Sequence, residues 1–547
     1  MKTFDEMTAD KLRGGFYTPA PLVDICLERV LSLVGSRSDL KVLEPSVGDG
    51  AFLRQLGSHP LASAVEKFTG LEIVGSEAQK CRLSARDVPF ETNILLESAL
   101  KWAISSNEAF DIAMGNPPFV RFQFVSKDDL NCIEQLGAKL QICFRGVSNL
   151  WIPILLAAGS KLRVGGAMAF VVPAELFTGL AAGDARTWLL KHFTELRIDM
   201  FSPGSFPDVL QEVVIISGLR QEPKTLTGIS RSTVTFIEHA KNGDTRCWSH
   251  DVPLSTQSWT RFLLTPRQIS AFEQAQQISQ VQQLSQIAKI EVSIVTGANE
   301  FFSVNTEEIA RFQLQNWAEP LLPRIRYAEG LVYGQADHQS TVSSGAKAWL
   351  LHFDAERPDP RAEVGAARYL EIGEMRGLAN RYKTSIRSPW YRVPSVWAGK
   401  LLLSKRSHMF PRLVYNAAGA MTTDTIYRGR MRDMYAGREL GLVGAFHNSL
   451  TLLSAEIEGR SFGGGVLELV PSEISRLAIP FPVNVAEFVP KPGKIARAMS
   501  KSSEGHQALI DSTDSLLVQQ IDDLSPQLVA ELAEARRILM QRRLNRN

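Results

Sequence analysis

From Lys41 onward, short apolar runs alternate with amphipathic stretches at a spacing of roughly 20–30 residues. KVLEPS (41–46), FTGLEIVG (68–75), a short run near NILLES (93–98), AFDIAMGNPPF (109–119) and GAMAFVVP (166–173) read as strands. Segments 51–66, 77–86 and the stretch around 149–163 read as helices. This alternation predicts an α/β fold, a doubly wound and mostly parallel sheet with helices on both faces. VLQEVVIISGL (209–219) reads as a late strand, in keeping with sheets of this kind that end in an antiparallel hairpin. Beyond about residue 225 the periodicity breaks up under Pro, Gly and Ser, which places a domain boundary between 225 and 245 and gives domains 1–235 and 236–547. The second is expected to be α+β. It closes on SPQLVAELAEARRILMQRRL, a helix with Ser525 as N-cap and Pro526 in its first turn.

With 547 residues, 44% hydrophobic and 22% charged, the chain has an ordinary globular composition, which excludes a mostly disordered polymer. No apolar run approaches the roughly 18 residues of a membrane span, so no membrane partner is expected. Five cysteines without a CxxC pair fit a reducing cytoplasm, and the nine histidines show no HxxxH spacing for a metal. The net charge of +2 conceals a division: residues 1–220 carry −3 and residues 221–547 carry +5. Within the latter, 376–438 holds 13 Lys and Arg against Asp424 and Asp433, interleaved with eight aromatic residues. That is the footprint of a surface that follows phosphates. Arg387, Arg392, Lys405, Arg406 and Arg412 are the candidate contacts within it.

Three segments of the first domain carry chemistry. In Val42-Leu43-Glu44-Pro45-Ser46-Val47-Gly48-Asp49-Gly50, a strand runs into an acid and then two glycines ahead of a helix. Glycines there let the backbone approach a ligand closely. The acid favours a ligand with ammonium or hydroxyl donors over a bare phosphate. S-adenosyl-L-methionine carries an α-amino group and a positive sulfur. Glu72, at the end of the next strand, is placed to accept ribose hydroxyls, with Ile73 beside it for an adenine face. The third segment is Gly115-Asn116-Pro117-Pro118-Phe119. Two prolines fix a rigid turn, so the Asn amide oxygen and a nearby main-chain carbonyl can hold an exocyclic amine while Phe119 stacks on its base.

Gly14-Gly15-Phe16-Tyr17-Thr18-Pro19, LEPSVGDGAF, GLEI and GNPPF, in that order, resemble the motifs of gamma-class N6-adenine DNA methyltransferases of restriction-modification systems. The specific motifs cover about 1–220. A looser likeness to recognition-domain segments runs through IVTGANEFF, SPWYRV, NAAGAMTTDT and GRSFGGGVLELVPSE. The resemblance implies a Rossmann-like catalytic domain followed by a target-recognition domain, with S-adenosyl-L-methionine as cofactor. Duplex DNA is the implied partner, a separately encoded restriction endonuclease a further one, and the location cytoplasmic at the nucleoid. It assigns Tyr17, Thr18, Glu44, Pro45, Gly48, Gly50, Glu72, Ile73, Ser98 and Asn116 to the cofactor. Asn116, Pro117, Pro118 and Phe119 fall to the target adenine, with Phe206 on the base's other face. The pattern departs at Ser98 and Ala99, where the family commonly has an Asp for the cofactor's adenine amine followed by a large apolar residue. Ser98 or Glu97 is the expected substitute. Two other readings use the same residues: methylation of RNA adenine or of protein glutamine, and a non-catalytic DNA-binding specificity subunit.

Overall fold

Buried parallel strands are apolar on both faces, and Phe110–Gly115 (β4) is buried at every position. In the computed structural model it lies near the middle of a nine-stranded sheet. The structure describes residues 18–144, 149–179, 182–202, 212–224, 231–255, 257–354, 356–462, 464–482, 484–488 and 503–544. The chain divides into two compact units, one ending at Pro266 and the other running from Arg267 to Leu544.

In the first unit the strands are β1 (Leu40–Glu44), β2 (Val65–Glu72), β3 (Glu91–Leu96), β4, β5 (Leu162–Pro173), β6 (Phe193–Phe201), β7 (Val213–Arg220), β8 (Arg231–His239) and β9 (Thr245–Pro253). Their order is β3-β2-β1-β4-β5-β7-β6-β8-β9. The five from β3 to β5 run parallel, and β7 lies antiparallel between β5 and β6. This is the doubly wound sheet with a late hairpin that the sequence predicts. Strand order reverses between β1 and β4, the point at which such sheets hold ligands at their carboxyl ends.

The helices follow the same logic. In α1 (Ala20–Val34), Leu22, Val23, Cys26, Leu27, Val30 and Val34 fall on one buried face, which packs on β5 and β7. The predicted helix at 51–66 is shorter: α2 (Ala51–Ser58) stops before Pro60, and a 3₁₀ turn covers Pro60–Ala64. Next come α3 (Gly75–Ser84), α4 (Ala99–Ser105), α5 (Lys127–Leu140) and α6 (Trp151–Ser160).

The first unit extends past the expected boundary at 235, which falls inside β8. Val234, Phe236 and Ile237 are buried against the sheet while Arg231 and Thr233 face outward. With β9 paired along its whole length, β8 continues the sheet instead of opening a new domain.

The second unit is α+β. Its five-stranded sheet runs Ala288–Glu291, Ile426–Met431, Leu401–Ser404, Leu413–Asn416, Val332–Tyr333, antiparallel except for the last pair. The predicted terminal helix is present as Pro526–Leu544, with Ser525 Oγ accepting from the Leu528 N–H. Among the described residues no helix is long and apolar enough to cross a membrane.

Candidate functional site

The carboxyl ends of β1 and β4 bring the two strongest sequence motifs together. Glu44 closes β1 and is 1% exposed; Gly115 closes β4 with φ +147°. A Cβ on Gly115 would stand 3.2 Å from Glu44 Cγ, so glycine is what admits the glutamate side chain there. The Ser46 hydroxyl donates to the Asn116 carbonyl oxygen at 3.2 Å, which ties the glycine loop to the Asn-Pro-Pro turn.

Glu44 Oε2 is buried and accepts no hydrogen bond among the described residues. Burial, reinforced by the nearby Asp49 and Glu72 carboxylates, holds the Glu44 carboxyl well above the ordinary carboxylate range. A buried acid with an open acceptor is arranged for a cation that comes to it. Beyond it, Gly48 and Gly50 take φ of +51° and +89°. A Cβ built on Gly48 meets nothing within 4 Å, so the turn leaves a space into which a ligand can settle. Pro45 is buried behind this turn.

Glu72 ends β2 half-buried. Its Oε1 accepts from the Ile73 and Val74 N–H groups, both at 2.9 Å, and Oε2 from the Gly48 N–H at 3.0 Å. A carboxylate accepts about four hydrogen bonds, which leaves one position on Oε2 for a ligand hydroxyl. Ile73 next to it is 66% exposed. Ser98 lies past the end of β3, and its hydroxyl donates to Asp129 Oδ1 at 3.0 Å.

Asn116 is half-buried, and its amide orientation is set. Nδ2 donates to Thr18 Oγ1 at 3.1 Å, while Oδ1 is buried with no partner among the described residues. Thr18, expected at the cofactor, is therefore also the group that aims Asn116, a link between residues 98 positions apart that no local pattern shows. Pro117 is buried, Pro118 is half-buried, and Phe119 packs partly against the core of the first unit. Tyr17 and Phe206 lie outside the described residues.

In the second unit the candidate phosphate contacts separate by their partners. Arg412 turns inward, its Nη2 donating to the Ala328 and Gly330 carbonyls at 2.7 Å, and burial lowers its pKa to about 10. That corrects its expected place on a phosphate surface: its charged head fixes main chain. Arg387 donates to the Val295 and Thr296 carbonyls, and Arg406 with Lys405 faces Glu468. Arg392 is half-buried, without a side-chain partner among the described residues. A groove of about 570 Å³ opens instead beside Arg376, Arg381 and Lys383, over loop 295–301. All three cations are exposed and have no ion-pair partner among the described residues. In this groove Asn299 Nδ2 donates to Asp424 Oδ1 at 2.9 Å. Sequence counting finds the basic tract, but which charges are neutralised inside the fold depends on contacts between distant residues.

Two family models match the chain. Residues 72–205 match the Eco57I restriction-modification methylase, and residues 256–518 match the C-terminal domain of the type II methyltransferase M.Eco57I. Curated relatives include the type II methyltransferase M.AccI of Acinetobacter calcoaceticus, 23% identical over 84% of both chains. Another is M.XamI of Xanthomonas campestris pv. amaranthicola, 21% identical over 85% of both. M.TthHB8I of Thermus thermophilus is 32% identical over 29% of this chain and 35% of its own. Among solved structures, the type IIG restriction endonuclease BpuSI is 13% identical over 95% of this chain and 68% of that one, at a TM-score of 0.41. The family models and curated relatives support a type II restriction-modification methyltransferase with S-adenosyl-L-methionine as cofactor. The residues present fit that cofactor: a buried carboxylate without a partner on Oε2 among the described residues, an open glycine turn and an exposed aliphatic beside a strand-end acid lie at the carboxyl ends of β1 and β2.

Proposed function

With the chain taken as a restriction-modification methyltransferase, we propose that it transfers a methyl group to the N6 amine of an adenine flipped out of duplex DNA. One observation carries this reading: Asn116 Oδ1 is a buried acceptor left open while its own amide nitrogen is anchored. S-adenosyl-L-methionine, when bound, supplies a methyl group made electrophilic by its sulfonium. Glu44 would hold the ammonium end, Gly48 and Gly50 would let the backbone close over the methionine portion, and Glu72 would take a ribose hydroxyl. Asn116 Oδ1 and the Pro117 carbonyl accept the two N–H bonds of the target amine. These two acceptors favour the positive charge that grows on nitrogen during attack, and they fix its approach. A general base is not required to begin, because the N–H proton leaves as or after the nitrogen bonds carbon. Phe119, and Phe206 as its expected counterpart, stack on the base at about 1–3 kcal/mol each, offsetting the few kcal/mol of flipping.

Methyl-labelled cofactor incubated separately with duplex DNA, RNA and a glutamine-bearing protein substrate tests the assignment. Digestion of the labelled DNA should return N6-methyladenosine. Label in RNA, in protein or on cytosine overturns the reading.

The groove of Arg376, Arg381 and Lys383 is the surface we assign to the DNA backbone. Replacing all three by alanine should weaken duplex binding across sequences. It should also reduce the slope of log affinity against log salt by about 0.9 for each phosphate no longer neutralised. A titration series in rising salt reads both effects. An unchanged slope assigns the backbone-binding surface elsewhere.

A further inference from the structure

The strand ends beyond Glu72 hold a second carboxylate that neither the glycine loop nor the Asn-Pro-Pro turn uses. The Glu97 N–H donates to the Glu72 carbonyl at 3.0 Å, which binds the β3 exit to the β2 exit. Two large aliphatic side chains stand uncovered there, Ile73 at 66% and Leu96 at 55% exposure. An aliphatic surface beside a ribose-binding acid suits the flat face of a purine, but the edge of that purine needs a polar partner.

Ser98 occupies the N-cap position of α4, where a serine hydroxyl ordinarily accepts from a backbone N–H one turn on. It makes no such bond. Its hydroxyl instead donates to Asp129 Oδ1, a residue 31 positions later in the first turn of α5. The Ser126 hydroxyl holds the other oxygen, donating to Asp129 Oδ2 at 2.8 Å, and Ser126 Oγ accepts from the Asp129 N–H at 3.1 Å. One hydroxyl on each oxygen orients the carboxylate without saturating it, since each oxygen retains an accepting position. Capping of α5 accounts for Ser126 alone; it gives no reason for Ser98 to leave its own helix uncapped.

We propose that Asp129 accepts the exocyclic amine of the cofactor's adenine, with Ser98 as its positioning residue. The inference rests on the reading of this pocket as the S-adenosyl-L-methionine site. A chain with serine at position 98 thus obtains its acid from a helix further along. An ionised carboxylate only accepts hydrogen bonds, so it suits the 6-amino group of adenine and opposes the 6-oxo group of hypoxanthine.

Calorimetry on the full chain, with S-adenosyl-L-methionine and its hypoxanthine counterpart as ligands, tests this. The unaltered protein should prefer the amino form. Asp129→Asn should weaken the amino form about 10- to 100-fold and abolish or invert the preference. Adding Ser98→Asp to Asp129→Asn should restore the preference, which a purely structural loss would not allow. Retention of the full preference by Asp129→Asn overturns the inference and leaves the pocket reading intact. If the unaltered chain binds neither ligand, the pocket reading falls and takes the inference with it. Should Asp129→Asn fail to fold, equal affinity of the unaltered protein for the two ligands is enough to overturn it.

Discussion

Asn116→Ala should lower methyl transfer by about two to three orders of magnitude while cofactor and duplex binding stay measurable. The magnitude follows from what the amide oxygen does. A fixed acceptor facing a centre that gains charge in the transition state is typically worth about 10²–10³ in rate. Asn116 Oδ1 has no partner among the described residues, so on the proposed reading its hydrogen bond is formed only with the target amine. Asn116 is only half-buried, past the end of β4, so alanine removes the oxygen without emptying a core position. Thr18 loses its partner as well, and Thr18→Val should show a smaller defect of the same kind through a misaimed amide. Single-turnover kinetics with preformed ternary complex separates rate from binding. Near-normal turnover in Asn116→Ala would exclude the amide as the amine's acceptor.

Glu44→Gln is expected to weaken S-adenosyl-L-methionine by about 10²-fold and to stabilise the ligand-free protein at neutral pH. Both effects come from one buried carboxyl. In the folded chain it holds its proton to a higher pH than in the unfolded chain. As pH rises from the ordinary carboxylate value through the raised one, the unfolded state ionises first and folding stability falls. An amide does not titrate and removes that loss. On the proposed reading the cofactor's ammonium needs the ionised form, so affinity should strengthen as pH rises through the raised value and weaken below it. Glu44→Gln should flatten that profile. Calorimetry between about pH 5 and pH 8, in buffers of different ionisation enthalpy, reads the slope and the protons released on binding. Thermal denaturation reads the stability. A pH profile unchanged by Glu44→Gln would place the ammonium on another group.

Much of this is readable from the sequence wherever one residue type is forced by local geometry. Gly48, Gly50 and Gly115 occupy left-handed or otherwise restricted backbone, and the strand at 110–115, apolar but for Asp111, is buried on both faces of a parallel sheet. What stays hidden depends on pairs far apart. Asp129 resembles an ordinary first-turn acid until Ser98 reaches it, and Thr18 resembles a linker residue until Asn116 does. The same reason limits the counting of arginines: Arg412 and Arg428 belong to a basic tract by composition, yet both donate to main-chain carbonyls inside the second unit. The boundary at 235 falls short of the first unit's end because β8 and β9, at the far edge of the sheet, are half-polar and lack the apolar runs that mark the inner strands.

The packing of Glu44 on Gly115 has a consequence for how the two substrates communicate. The glutamate side chain rests against the peptide that immediately precedes Asn116, with no room for an intervening atom. A shift of that carboxylate toward a donor on one side would change this contact at the other, which would let occupancy of either half bias the geometry of its neighbour. On the proposed reading of the two halves, reciprocity then requires a target base that seats well to tighten the cofactor to the same degree that the cofactor prepares the seat for the base.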